Sequence, residues 1–377
     1  MKVMIVVTHL LGTGHLRRAL TLARAFAQAG HDVLLCSGGM PVDGLDTGTV
    51  RLLQLPELRS DGVNFTRLLD STGHPADTAT LTARRDRLCN GLQVFAPDIL
   101  ITELFPFGRR VLTDEFQALL KTAHALPRAP VILSSVRDIL APPSKPAKAA
   151  HTDDLIRDWY DAVLVHSDPK GTRLNASWPV STTLEPRLIY TGYVCPDAIA
   201  AQPGRDGLDE ILVSAGGGPV GDPLFRCAAS AARLKPHRPW RLLIGGPDAD
   251  LRIADLSDGG PAMIEPARRD FQQMLQHAAA SVSLCGYNTA LEVLRAGLPA
   301  VFVPFDDGGE VEQTLRAQSL AHMPGIVTLR KAELTPQRLC DALTQAMAEP
   351  RRQGTTLQFD GAAETVRIAT RMARDRQ

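Results

Sequence analysis

The segment Ala280 to Ala317 limits the fold of this chain more tightly than any other part of it. It reads as a strand over Ala280–Leu284, a glycine turn Cys285-Gly286-Tyr287-Asn288-Thr289, a helix through Gly297, a strand over Pro299–Pro304 and an acidic glycine loop that ends in Glu310-Val311-Glu312-Gln313. A short apolar run, a helical pattern and a second apolar run are what parallel strands buried on both faces look like in sequence. The same alternation fills the rest of the chain. Apolar runs at Lys2–Val7, Asp32–Cys36, Val50–Leu55, Asp98–Ile101, Val131–Ser134, Ala162–Val165 and Leu188–Tyr190 alternate with helical patterns at His15–Ala29, Thr78–Phe95 and Val111–Ala123 and a fainter one near Asp153–Trp159. The second half repeats the scheme, with strands at Glu210–Ser214, Arg241–Ile244 and Ala262–Ile264 and helices at Asp222–Leu234, Arg268–Ala279, Glu310–His322 and Thr335–Met347.

At 377 residues the chain exceeds one ordinary core, so this alternation predicts an α/β protein of two doubly wound, Rossmann-like domains. Gly192, Pro196, Pro203, Gly204 and Gly207 cluster between strands and set the expected division: 1–195, 196–355, and a last amphipathic helix in 356–377 that crosses back onto the first domain. The stretch Arg137–His151, with Pro142, Pro143 and Pro146, reads as a long loop. Lys and Arg together number 41, as do Asp and Glu, so there is no electrostatic footprint for nucleic acid and no polybasic membrane anchor. Shallow contact with a membrane surface stays compatible with this composition. The pairs Arg109-Arg110 and Arg351-Arg352 read as solvated faces. The six cysteines are scattered without a CxxC pair and read as inert buried thiols in a reducing compartment. The apolar run at the amino terminus is too short to span a membrane and leads into a glycine turn, so it reads as a strand, and a cytoplasmic protein is expected.

Each half opens with a strand, a glycine turn and a helix. The first turn ends in Gly12-Thr13-Gly14-His15, and the second is Gly216-Gly217-Gly218-Pro219. In open α/β sheets ligands bind at the carboxyl ends of the strands, which places both turns on a cleft. The first turn lacks the third glycine of a dinucleotide fingerprint, and no acidic residue closes the second strand, so a plain dinucleotide domain is not expected. His15 falls at a helix start, where the dipole disfavours imidazolium and leaves a neutral base; the alternative is a histidine that caps the turn or packs on the opposite domain. Glu103 ends a strand and precedes Phe105 and Phe107, a carboxylate beside rings that suits a sugar acceptor or a second base; its alternative is a salt bridge to Arg109 or Arg110. In the second half the helix start at Asn288 offers unpaired N–H groups to phosphate. Glu292 lies one turn further along that face, where a ribose diol would sit, and Glu312 and Gln313 offer partners for sugar hydroxyls. Phosphate, ribose and hexose partners in one segment make a nucleotide-sugar site. Asp248-Ala249-Asp250 follows Gly245-Gly246-Pro247 and reads as turn and helix-cap chemistry, so no metal or cofactor is expected.

These motifs resemble the GT-B glycosyltransferases, in particular the MurG-like group with a family 28-type carboxyl domain, which transfers N-acetylglucosamine from UDP-GlcNAc. The residues that carry the resemblance are Gly12-Thr13-Gly14-His15, Gly216-Gly217-Gly218, Gly286-Tyr287-Asn288-Thr289-Ala290-Leu291-Glu292, Pro299 to Pro304 and Glu312-Gln313. The resemblance implies two domains facing across a cleft and a metal-independent transferase whose UDP-linked donor is a substrate. It implies that Glu292 takes the ribose hydroxyls, Asn288 and Thr289 with Gly216 to Gly218 the diphosphate, and Glu312 and Gln313 the donor sugar, with uracil near Arg268 to Phe271. The acceptor, a glycan, a lipid-linked sugar or a small molecule, is left open, as are the hexose and the oligomeric state. Two departures bear on specificity: the first turn has one glycine fewer than usual, and the Glu310-Val311-Glu312-Gln313 loop differs ahead of its glutamine. The first forty residues, with His15-Leu16-Arg17-Arg18-Ala19-Leu20, also look like PseG-type UDP-sugar hydrolases, so a hydrolase or epimerase on the same fold is the alternative.

Overall fold

The computed structural model describes residues 1–42, 44–60, 67–195, 206–215, 219–246, 248–257, 259–307, 310–352 and 357–376. They form two compact units, Met1–Cys195 with Gln358–Gln377, and Pro196–Leu357. Among the described residues no helix is long and apolar enough to cross a membrane.

In the first unit, β1 (Lys2–Val7), β2 (Asp32–Gly39), β3 (Arg51–Ser60), β4 (Leu68–Leu69), β5 (Ile99–Glu103), β6 (Val131–Arg137), β7 (Ala162–His166) and β8 (Leu188–Tyr190) form one sheet in the order β4-β3-β2-β1-β5-β6-β7-β8. All neighbours are parallel except β3 and β4. The central strands are buried almost end to end because helices cover both faces. On α1 (Gly14–Gln28), Leu16, Ala19, Leu20, Ala23 and Phe26 form the stripe that packs on this sheet. α2 (Thr78–Phe95) starts where the Asp77 carboxylate accepts from the Thr80 amide at 2.7 Å and ends at Ala96 in the left-handed region. α3 (Thr113–His124) and α4 (Pro146–Trp159) complete the first run of helices. The long loop expected over Arg137–His151 therefore turns helical from Pro146 onward: this proline, the apparent breaker, occupies the first turn, where its missing N–H costs nothing.

The second unit holds β9 (Ile211–Ser214), β10 (Trp240–Ile244), β11 (Met263–Pro266), β12 (Ala280–Ser283), β13 (Ala300–Phe302) and β14 (Ile326–Thr328) in the parallel order β11-β10-β9-β12-β13-β14. Its helices are α5 (Asp222–Leu234), α6 (Ala249–Leu256), α7 (Phe271–His277), α8 (Tyr287–Ala296), α9 (Glu312–Leu320) and α10 (Pro336–Met347). The helix read as Arg268–Ala279 is shorter than expected, because Arg268 and Asp270 pair with each other ahead of its first turn. The strand order reverses between β9 and β12, and in such sheets that is the ligand crevice.

α11 (Gly361–Asp375) belongs to the first unit and buries Ile368, Ala369 and Ala373 in the core that α1 covers. The chain is pinned where it returns: the Tyr193 amide donates to the Gln358 carbonyl at 2.7 Å, and the Gly361 amide to the Tyr193 carbonyl at 3.1 Å. A Cβ on Gly361 would lie 2.4 Å from the Gly192 carbonyl oxygen, so only glycine fits this crossing. The arginine pairs expected as solvated faces are tied to backbone. Arg110 donates to the Phe107 carbonyl, Arg351 to the Ala296 carbonyl at the end of α8, and Arg352 to the Pro324 carbonyl.

One buried ion pair locks α2 to the sheet. Arg84, with 0% exposure, makes a two-pronged contact with Glu115 at 2.9 and 3.0 Å and donates to the carbonyls of Gly38 and Pro56. Any Cβ on Gly38 would fall 2.5 Å from this guanidinium. Replacing Arg84 by Leu would strand the Glu115 carboxylate in the core, and we expect a loss of about 3–5 kcal/mol of stability. Urea unfolding measures it, and the double variant Arg84→Leu/Glu115→Leu should recover most of the deficit. A single-variant loss under about 1 kcal/mol would contradict this role.

Candidate active site

In the first unit the site is built on the carboxyl edge of the sheet. β5 ends at Glu103, which has 2% exposure, and α1 begins at Gly14 after the left-handed Gly12. These two ends meet. His15 Nδ1 lies 2.8 Å from Glu103 Oε1, and Arg18, one helical turn beyond His15, also binds that carboxylate oxygen. Glu103 Oε2 accepts from Ser135 Oγ at 2.7 Å. Arg18 Nη2 also lies 3.2 Å from His15 Nδ1. A carboxylate 2.8 Å from that nitrogen requires a proton between them, so Nδ1 carries the hydrogen and Nε2 is the ring nitrogen able to take one.

Burial, more than the helix dipole, sets the protonation of this pair. Desolvation of the imidazolium holds His15 well below the ordinary histidine value, and Arg109 and Arg137 add to the effect; the Glu103 contact opposes them. Burial raises Glu103, but Arg18, His15 and Ser135 together outweigh it and hold the carboxyl well below the usual range. At neutral pH the pair is a neutral imidazole on a carboxylate, which can accept one proton and hold the resulting cation. The expected salt bridge from Glu103 to Arg109 or Arg110 is replaced by one to Arg18; Arg109 donates instead to the Thr8 carbonyl. His15 is likewise no turn cap. Phe105 and Phe107 are not a sugar platform: Phe105 stacks on Phe116 at 4.4 Å and Phe107 meets Trp178 edge-on at 5.1 Å, both in the core. Sequence reasoning missed Arg18 and Ser135. The spacing of His15 and Arg18 on one helix face was the available signal for the former; nothing local marks Ser135.

In the second unit, α8 starts at the crevice. Gly286 is its N-cap in extended conformation, no side chain caps the helix, and a Cβ on Gly286 would meet nothing within 4 Å. The first intrahelical bond of the turn is from the Ala290 amide to the Gly286 carbonyl, which leaves the amides of Asn288 and Thr289 ahead of the helical ladder. Ser214 and Ser283, register partners at the ends of β9 and β12, have buried hydroxyls with no partner among the described residues. Glu292 is half-buried and its Oε1 accepts from Gln272 Nε2 at 3.0 Å, so α7, which Phe271 opens, and α8 meet at this carboxylate.

Glu312 and Gln313 open α9. Arg316, buried, donates to Glu312 Oε1 at 3.0 Å and to the Cys285 carbonyl at 2.8 Å, with its guanidinium over the Tyr287 ring. One side chain thus ties the start of α9 to the turn before α8. Gln313 Oε1 accepts from the Phe305 amide at 3.2 Å. Gly216, Gly217 and Gly218 lie outside the described residues. Asp248 is the N-cap of α6 and Asp250 sits in its first turn; among the described residues no three His, Cys, Asp or Glu side chains gather as metal ligands.

Residues 222–369 match the model of the glycosyltransferase family 28 C-terminal domain. The UDP-N-acetylglucosamine--N-acetylmuramyl-(pentapeptide) pyrophosphoryl-undecaprenol N-acetylglucosamine transferase of Brucella canis is 34% identical over 156 residues, 40% of this chain and 41% of that one. Its counterpart in Brucella anthropi is 35% identical over 143 residues, 36% of this chain and 38% of that one. The chain therefore spans about two fifths of the length of the curated relatives it matches. Among solved structures, MurG of Acinetobacter baumannii superposes with a TM-score of 0.62 at 17% identity, covering 98% of this chain and 99% of that one. The calicheamicin glycosyltransferase CalG4 gives 0.59 at 18% identity, covering 99% and 94%. The first unit is reached by these structural likenesses, which speak to fold, while the sequence match concentrates in the second. The chain accordingly has the GT-B fold, and over residues 222–369, most of its second unit and part of the returning helix, it is similar to the glycosyltransferase family 28 C-terminal domain.

Proposed function

We propose that the protein transfers a sugar from a UDP-linked donor, an N-acetylhexosamine such as that of UDP-GlcNAc, to a hydroxyl acceptor. The observation that carries this reading is the 2.8 Å contact between His15 Nδ1 and Glu103 Oε1, which prepares His15 Nε2 to take the acceptor proton. As the hydroxyl oxygen attacks the anomeric carbon, the bond to the diphosphate breaks and the proton passes to His15. The imidazolium so formed is held by Glu103. Donor binding falls to the second unit, most of which matches the family 28 C-terminal domain model. Amides at the start of α8, with Asn288 and Thr289, take the diphosphate, Glu292 the ribose hydroxyls, and Glu312 and Gln313 the sugar. Gly216 to Gly218 are assigned to the diphosphate and Phe271 to the base edge on the resemblance alone. The positive helix start stabilises the leaving group without a metal, so turnover is expected to persist in EDTA.

Titration with UDP should stabilise the protein against heat, and Glu292→Ala should weaken that binding about 10- to 100-fold, the loss of charge-assisted bonds to a diol. If neither UDP nor any common UDP-sugar shifts the melting temperature, the donor assignment fails. A time course with UDP-GlcNAc and a cell extract of lipids, glycans and small molecules then separates the products. A new glycoside supports transfer; free sugar alone would make water the recipient, an altered nucleotide sugar would indicate epimerisation, and binding without turnover would mark a sensor.

His15→Ala should lower turnover by roughly 10²–10⁴-fold while UDP affinity stays within about twofold. Equal loss of both would remove His15 from the chemistry. Because His15 is held below the ordinary histidine value, its neutral form persists as pH falls. The acidic limb of kcat/KM is therefore expected below about pH 6.5, and a limb above it would contradict the buried pairing.

A further inference from the structure

Behind Glu103 a line of buried polar groups continues across the sheet, and the proposed transfer step does not use it. Ser135 on β6 is the register partner of Glu103, and its Oγ also lies 2.9 Å from His166 Nε2 on β7. His166 has 0% exposure, and its Nδ1 lies 2.8 Å from Thr191 Oγ1, just past β8. Four consecutive strand ends thus carry Glu103, Ser135, His166 and Thr191 in one hydrogen-bonded row. The row is anchored in backbone, since the Thr191 amide donates to the Val165 carbonyl at 3.1 Å and the Gly192 amide to the Ser167 carbonyl at 3.1 Å.

Each hydroxyl in the row has one proton, and that makes it directional. If Glu103 is a carboxylate, Ser135 must donate to it, so His166 must donate from Nε2 to Ser135, and His166 Nδ1 must accept from Thr191. The reverse order has its own logic. A proton on His166 Nδ1 would send the Thr191 proton to the Gly192 carbonyl, 2.9 Å away, and turn the Ser135 proton toward His166. Two bare oxygens would then face each other 2.7 Å apart unless Glu103 were itself protonated. Arg18 on Oε1, with Arg109 and Arg137 nearby, favours the ionised carboxylate and hence the first order.

We propose that His166, fixed as its Nε2–H tautomer between Thr191 and Ser135, is a positioning residue that holds Ser135 as a donor to Glu103 and thereby keeps His15 in the Nδ1–H form. The proposal rests on the reading of His15 as the base, but its test does not require turnover. Two-bond proton–nitrogen correlation spectra of the full chain labelled with ¹⁵N-histidine, assigned with His15→Gln and His166→Gln, report each tautomer directly. At pH 7 we expect His166 protonated at Nε2 and bare at Nδ1, and His15 the opposite. His166 found protonated at Nδ1 overturns the proposal.

Ser135→Ala removes one bond from the carboxylate, makes it more basic and should raise the proton affinity of His15 about threefold or more in the same spectra. An unchanged His15 titration in a folded Ser135→Ala protein also overturns it. If that variant does not fold, the wild-type tautomers still decide. Neither readout uses nucleotide or acceptor, so failure here is separable from failure of the transferase reading, which the UDP titration decides.

Discussion

A carboxylate with 2% exposure sits at the end of a central strand, and the first unit is arranged around keeping it charged. An isolated carboxylate in such a place would be neutral, because desolvation raises its pKa by several units. Glu103 stays ionised because Arg18 supplies a full charge and Ser135 and His15 supply hydrogen bonds. The glycine turn before α1 has a matching purpose: it brings the first turn of the helix over the strand end, so that His15 and Arg18 reach the same oxygen. The cost is that no member can be removed alone. A neutral residue at 103 frees His15 to choose its tautomer, and a neutral residue at 18 leaves the carboxylate undersolvated.

The buried pair of Arg84 and Glu115 works on the same terms at the opposite side of β1, but with a different consequence. Its guanidinium is saturated by a carboxylate, two backbone carbonyls and the Thr8 hydroxyl, so it has no donor left to offer a ligand and reads as a fastening of α2. Arg18 shares its carboxylate with a titratable ring and with a serine that leads to a second ring. Two buried ion pairs in one unit thus divide between a closed set of contacts and a set that, among the described residues, ends at the His15 ring.

Much of this was legible in sequence because burial on both faces writes strands as unbroken apolar runs. Lys2–Val7, Leu188–Tyr190, Thr78–Phe95 and Asp222–Leu234 fall where periodicity places them. The misses have physical causes. β14 is three residues long and lies at a sheet edge, β4 is two residues long, and neither offers enough residues to show a period. The first half of α4 was hidden by prolines that favour a helix start as much as a loop, while its second half, Asp153–Trp159, was read as helical. At the site, His15 and Glu103 were visible as residues at turn and strand ends, yet their pairing was not. Contacts 88 residues apart follow from sheet order, which places β5 beside β1. The same blindness hid Ser135 and His166, ordinary strand residues whose meaning depends on which strands are neighbours, and turned Phe105 and Phe107 from a surface into core.

The two units use one architectural device, a helix starting at the carboxyl edge of a sheet, in different surroundings. In the first, no side chain caps α1, and the ring of His15 and the guanidinium of Arg18 turn back onto a carboxylate. In the second, no side chain caps α8 either, the serines at the ends of β9 and β12 keep hydroxyls without a partner among the described residues, and Arg316 spends donors on Glu312 and the Cys285 carbonyl, fixing the shape of the turn. A ring held on a buried carboxylate suits a group that must gain and lose a proton without moving. A helix start beside buried hydroxyls suits an anion brought from outside, since such groups gain most from a ligand that fills them. The proposal of a base in the first unit and a diphosphate in the second rests on that difference: His15 and Arg18 are engaged with Glu103, whereas the strand ends before α8 carry the serine hydroxyls.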